Sequence, residues 1–315
     1  MAPMATLSHR AMRVLVEEWG GCDLYFGEML DASTTLSGGP YESWYRDSEP
    51  CPEKFILQLV GANPDTLIQA AELLKNHPSK GLDLNMGCSA PQIFRTGAGV
   101  AWMQNPQGAA QLIKTIRTVL PRHKTLSVKL RLGEDDDGER LVEYAQGLQE
   151  AGLDFLTLHP RLRKQTWSRP ARWEFVSLLK SRLRIPVMGN GDIRDWESYL
   201  ACKSQHPADG YMLGRGLMAQ PWLCKVLRMK ETDLEAKLFV DRERVGLRYL
   251  ELLELHQPQA FWHSRARRFF GSYLLGYQFG ARTAAQIQNS HSYLALVEVV
   301  GSFLARNREE GMKEV

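Results

Sequence analysis

A (β/α)₈ (TIM) barrel over residues 1–232, with an all-helical region over 233–315 behind it, is the fold class this sequence predicts. Three observations predict it. Short apolar runs rich in β-branched residues alternate with longer stretches of helical period, as parallel strands joined by crossover helices do. The runs end in polar residues, where a barrel collects its active groups. Strand signals then stop near residue 232, and helical periodicity alone continues.

In chain order, the opening MAPM reads as the end of a very short first strand. CDLYFGE (22–28), FILQLV (55–60), GLDLN (81–85), LSVKLRL (126–132), DFLTLH (154–159), IPVMGN (185–190) and DGYMLG (209–214) read as the other seven. Between them lie helical stretches near 64–76, 106–119, 139–151, 173–183, 195–204 and 220–229. In the first of these Asn63 is placed to cap and Pro64 suits the first turn. Seven strands and a stub make eight, although strand counting alone also fits a doubly wound open sheet. Beyond 232, VGLRYLELLELH, QAFWHSRARRFFGSYLLGY and SYLALVEVVGSFLA read as amphipathic or buried helices.

Bulk properties set limits. The 315 residues are 44% hydrophobic and 24% charged, enough to bury a sizeable core without staples. A net charge of only +3 permits a polyanionic partner without demanding one, so any basic surface must be local. Cys22, Cys51, Cys88, Cys202 and Cys224 are odd in number and form no CxxC pair, which argues against a disulfide scaffold or zinc site and for a reducing cytoplasm. No apolar run reaches a membrane-spanning length, and no metal or obligate protein partner is implied. The acid run Glu134–Asp137 with Glu139 reads as a solvated loop.

Candidate site residues follow from the strand ends. The second strand ends at Glu28, the third carries Gln58, and the fourth ends in Asn85, followed by Gly87 and Cys88. Lys129 and Arg131 lie two apart and so point to one side of the fifth strand. A cation inside a covered strand must reach a rim or a partner. His159 ends the sixth strand. Asn190-Gly191-Asp192 and Gly214-Arg215-Gly216 close the last two with the glycine-rich turns from which barrels build phosphate sites. The two polar ends of Gln58 suit the imide edge of a flavin, though a satisfied core amide fits as well. Cys88, in a loop at the rim, is the candidate general acid.

MAPMATLSHRAMRVLVEEWGGCDLYFGEM, DLNMGC with the trailing TGAGV, VKLRLG, TLHPRLRKQ, GNGDI and LGRG together resemble the tRNA-dihydrouridine synthases, in order and at similar spacing. The stretch from His159 through Asn190 to Asp195-Trp196 resembles the C branch of the bacterial enzymes. The resemblance implies a barrel that binds FMN and uses NADPH to reduce the 5,6 double bond of specific uridines in tRNA. It implies that Ala2, Pro3 and Met4 border the flavin and that Gln58 meets its ring. Lys129 and His159 would contact the ring or ribityl region, and Asn190, Gly191, Asp192, Gly214 and Arg215 the phosphate. Asn85 and Arg131 would touch the uracil, with Glu28 at the substrate end, while Cys88 protonates carbon 5 after hydride reaches carbon 6. Extruding the base from the tRNA stack costs a few kcal/mol, which remote binding must offset. Arg265, Arg267 and Arg268, beside Trp262 and Phe269, and the loop Arg161, Arg163, Lys164, Arg169 and Arg172 supply the expected cations.

The match departs at the cysteine loop. Ser89 stands where the family has proline, Gln92 near where it has a basic residue, Ala5 where it has glycine after APM, and Pro160 where it has glycine after the histidine. A flavin- and RNA-binding relic without the reaction, or a small-molecule FMN oxidoreductase of the dihydroorotate dehydrogenase kind, are the competing readings.

Overall fold

Seven of the apolar runs form parallel strands: β1 Tyr25–Asp31, β2 Phe55–Val60, β3 Gly81–Met86, β4 Thr125–Leu130, β5 Phe155–Leu158, β6 Val187–Asn190 and β7 Gly210–Met212. The computed structural model describes residues 1–315, the Lys313 side chain excepted. The strands pair in chain order in one sheet. The eighth stave is the opening segment, too short to be a strand of its own. Ala2 N–H donates to Leu213 O at 2.8 Å and Phe26 N–H donates to Met1 O at 3.2 Å, so residues 1–2 bridge the two edges. An open doubly wound sheet would leave those edges apart.

Period two divides the strand residues between two environments. Leu57, Leu59, Leu82, Leu84, Leu126, Val128, Leu156 and Leu158 join the large core between sheet and helices. Phe26, Ile56, Phe155 and Met212, with Ala2, form a separate small cluster, the apolar filling inside the barrel. Gln58, Asp83 and Ser127 are register partners across β2, β3 and β4, in a row that continues to Phe155, so they too point inward. One layer nearer the strand ends, Asn85, Lys129, Thr157 and Met188 form the next row.

The crossover helices start where side chains can satisfy the free N–H groups of a first turn. Asn63 caps Pro64–Leu74, Asn105 caps Pro106–Val119, Asp137 caps Gly138–Glu150, and Asp195 with Ser198 makes a capping box on Trp196–Gln205. Beyond the helix Leu223–Thr232 come Arg242–His256, Gln259–Tyr273, Gly280–Gln288 and Tyr293–Arg306. One expectation needs correction: the tail is not purely helical, because Phe239–Asp241 pairs antiparallel with Met312–Glu314. Three-residue strands leave too little periodicity to read.

The tail shares the barrel's core. Tyr249, Phe269, Phe270 and Tyr273 belong to the same continuous cluster as Met12 and Leu15 of the helix Arg10–Glu17. Tyr249 stacks on Phe269 at 3.8 Å between centroids, and Trp222 meets Tyr273 edge-on. Arg248 pairs with Glu18 at 2.7 Å across the same junction. No helix among the described residues is long and apolar enough to cross a membrane.

Candidate active site at the strand ends

One cleft at the C-terminal rim of the strands is lined by Ala2, Pro3, Met4, Lys129, His159, Asn190, Gly191, Asp192, Gly214 and Arg215. Ten of the residues singled out from the sequence thus converge. Lys129 reaches it from the barrel interior and makes no hydrogen bond among the described residues. Burial, then the neighbouring Arg131 cation, hold its pKa down to about 8, while Asp83 and Cys88 pull the other way. An ammonium without a partner in such a place calls for an acceptor that the chain itself does not provide.

The far end of the cleft is basic. Arg161 is fully buried and makes two hydrogen bonds to Asp192, at 2.6 and 2.7 Å, while Arg215 reaches the same carboxylate at 3.3 Å and Arg194 at 4.0 Å. Three guanidiniums share one carboxylate, so two positive charges are left over. Burial works against the Asp192 charge, but the Arg161 hydrogen bonds, the Ala171 N–H and the cations outweigh it and hold its pKa below the ordinary range. His159 Nε2 takes a hydrogen bond from Arg161 at 2.8 Å. Burial, then Lys129, Arg131 and the other guanidiniums, press its pKa far below an ordinary imidazole's, so it is neutral with its proton on Nδ1. Gly191 has φ +135°, and a Cβ there would meet Ala171 at 2.8 Å and His159 at 3.2 Å. Only glycine closes that turn.

Trp167 covers this ground from the loop after β5. Its ring stacks on His159 at 5.5 Å and 22°, with the Arg215 guanidinium 4.4 Å and that of Arg161 5.6 Å from its centre.

Cys88 sits half-buried just past β3. Asn85 Oδ1 accepts the N–H groups of Gly87 at 3.2 Å and Cys88 at 2.8 Å, and Val100 N–H donates to Cys88 O at 3.0 Å. Two glycines permit this. A Cβ at Gly87 would stand 3.0 Å from the β4 backbone, and one at Gly99 (φ +63°) only 2.5 Å from Cys88 O.

Several expected roles are not matched by position. Gln58 is fully buried away from the cleft, and both amide ends are engaged, Nε2 by Asp83 at 2.7 Å and Oε1 by Asn85 at 2.9 Å. The Asp192 carboxylate serves arginines, so a phosphate would meet its backbone and its neighbours, not the acid itself. Arg131 donates to the loop carbonyls of Leu162 and Gln165 at 3.1 and 3.4 Å.

Glu28, expected at the substrate end, and Arg265, expected among the RNA-holding cations, are each other's partners instead. They form a buried ion pair at 2.8 Å, each side chain under 5% exposed, and Glu28 also takes the Thr6 N–H. Arg267 turns half-buried to Gln288 O at 3.4 Å, and Arg268 alone of the three is exposed. Much of the basic loop is neutralised by the acid run: Arg163 pairs with Glu134, and Arg172 with Asp136 at 2.6 Å. Lys164 and Arg169 remain exposed.

Asp83, Trp167 and Arg194 were not anticipated. An aspartate inside the apolar run GLDLN was the available signal for the first; nothing local marked the other two.

Comparisons with known proteins bear on the family and the fold. The family model described as dihydrouridine synthase (Dus) matches residues 1–273. A probable tRNA-dihydrouridine synthase 1 of Synechocystis is 33% identical over 70% of this chain and 62% of its own length, so the match spans less than two thirds of that relative. The probable tRNA-dihydrouridine synthase of Aquifex aeolicus is 32% identical over 76% of this chain and 74% of its own. A tRNA-dihydrouridine(16) synthase of Yersinia pestis is 32% identical over 86% and 88%. Among solved structures, a 2-naphthoyl-CoA reductase complex aligns at TM-score 0.54 with 12% identity, over 71% of this chain and 48% of that one. Morphinone reductase aligns at TM-score 0.50 with 13% identity, over 72% and 85%. These two share the fold. The family rests on the matched family model and the sequence relatives: this chain belongs to the dihydrouridine synthase family.

Proposed function

We propose that the protein is a tRNA-dihydrouridine synthase that binds FMN in the rim cleft, takes reducing equivalents from NADPH, and reduces the 5,6 double bond of uridine in tRNA. The observation that carries this reading is the charge layout of the cleft. A lone ammonium, Lys129, lies toward the barrel interior, and two uncompensated guanidinium charges surround Asp192 at the other end. That donor set fits a flat ring with electron-rich edges joined to a phosphate dianion. When bound, FMN supplies the hydride chemistry.

The chain's own residues do the rest. Lys129 and neutral His159 would hold the ring end of the flavin, and Arg194, Arg215 and the Gly191 turn its phosphate. Asn85 fixes the loop that carries Cys88, whose Sγ holds the proton delivered to uracil carbon 5. Exposed Lys164, Arg169 and Arg268 are the cations available to tRNA phosphates.

Purified protein is expected to be yellow and, given NADPH, to form dihydrouridine in tRNA taken from a strain lacking the gene. Mapping dihydrouridine position by position in that strain is expected to show one or a few sites missing. A flavin-bearing protein with every site still modified would instead favour the relic reading motivated by Ser89 and Gln92.

A further inference from the structure

Asp83 is a fully buried carboxylate inside the barrel that none of the roles above employs. It lies two residues before Asn85 on β3, so both side chains point inward. Its Oδ1 accepts from Ser127 Oγ at 2.6 Å and its Oδ2 from Gln58 Nε2 at 2.7 Å. Gln58 Oε1 accepts from Asn85 Nδ2 at 2.9 Å, and Asn85 Oδ1 accepts the N–H groups of Gly87 and Cys88. The chain of contacts runs unbroken from a buried acid to the backbone of the candidate proton donor.

Direction matters in such a chain. Each amide has nearly the same shape when turned over, so its orientation is decided by its neighbours alone. An ionised carboxylate only accepts. Gln58 must therefore present its NH₂ to Asp83 and its carbonyl to Asn85. Asn85 in turn must present its NH₂ to Gln58, which leaves its carbonyl for the Cys88 loop. We propose that Asp83 is a positioning residue that sets the direction of this relay and, through Gln58 and Asn85, holds Cys88 where its thiol can serve the reacting base. The thiol's role rests on the function proposed above; the relay does not.

The alternative, that Asp83 merely fills space, leaves its chemistry unexplained. The barrel interior it lies in is otherwise filled by apolar groups such as Ile56, Phe155 and Met212, and a carboxylate is costly in such a place. Burial pushes its pKa up to about 6 despite the Ser127 and Gln58 hydrogen bonds and the Lys129 charge. At neutral pH it is still ionised, and so still an acceptor only.

The test is alkylation of Cys88 by iodoacetamide in the flavin-loaded protein, resolved from the other four cysteines by peptide mass spectrometry. In Asp83→Asn both amide directions become available, and Cys88 alkylation is expected to rise about fivefold as its backbone loses a committed acceptor. Reoxidation of the reduced enzyme by tRNA is expected to slow roughly 10- to 100-fold, because a loosened donor is a misplaced one. Flavin reduction by NADPH, which needs no thiol, should stay within about twofold. Ser127→Ala damages the same buried cluster but leaves the carboxylate facing Gln58, and should leave alkylation at the wild-type rate. Gln58→Met cuts the relay itself and should reproduce the rise, which keeps the test alive if Asp83→Asn does not fold.

Unchanged Cys88 alkylation in both Asp83→Asn and Gln58→Met overturns the relay, as does an equal rise in Ser127→Ala. A wild-type protein that forms no dihydrouridine overturns the function instead, and alkylation still decides the relay.

Discussion

Lys129 shows what a buried cation without a hydrogen-bond partner costs the fold. An ordinary lysine titrates near 10.5; here burial and Arg131 lower the pKa to about 8. The sign follows from linkage. The folded state binds this proton more weakly than the unfolded one, so below pH 8 the fold carries the full penalty of the charge. As pH rises from about 8 to 10.5 the penalty disappears. Lys129→Met is therefore expected to raise the stability of flavin-free protein at pH 7 by roughly 1–3 kcal/mol. That advantage should shrink toward pH 10, and flavin retention should fall sharply. Denaturant melts of both proteins at pH 7 and 10 check this; a destabilised variant at pH 7 would contradict the description of Lys129 as unpartnered. The residue was legible in the sequence because a cation inside a covered strand is conspicuous. Trp167 was not, since a lone tryptophan in a polar loop looks the same whether it waves in solvent or lies on His159.

Among elements, the helix Gln259–Tyr273 departs furthest from what its sequence conveys. Its cations mixed with aromatics look like an RNA-facing surface, yet Arg265 turns toward the sheet and pairs with Glu28 in the middle of β1. Two facts could not be read from one chain: which helical face meets the barrel, and that a buried acid waits there. Burial raises the Glu28 pKa even against the Arg265 charge, so the acid depends on its partner. Removing that partner alone, in Arg265→Met, is expected to cost about 3–5 kcal/mol by chemical denaturation. Adding Glu28→Gln should recover more than half of that loss, because the orphaned charge goes with it. Additive losses would mean that the pair is not the coupling between these elements. Strands were easier. β2 is buried along its whole length and so stands out as an apolar run, which is why it was found at its true ends.

At the scale of the whole molecule, charge is paired off more thoroughly than the composition conveys. Acid run and basic loop, distant in sequence, neutralise each other at Arg163–Glu134 and Arg172–Asp136. The cations left exposed are the ones expected to govern tRNA affinity. Changing Lys164, Arg169 and Arg268 together to glutamine should weaken binding and reduce the slope of log affinity against log salt by about one per lost phosphate contact. An unaltered slope, measured by filter binding across a salt series, would place the RNA surface elsewhere. The barrel itself was legible from alternation, and the two glycine turns that line its rim cleft stood out at the ends of their strands. Cancellation between loops was hidden because it depends on tertiary proximity. Finally, the aromatic seam of Tyr249, Phe269, Phe270 and Tyr273, continuous with Met12 and Leu15, joins the tail to the barrel without a break. The two parts are not interchangeable modules. A foreign tail could not be grafted at that seam without repacking both sides, which leaves outward-facing positions such as Arg268 as the ones free to vary.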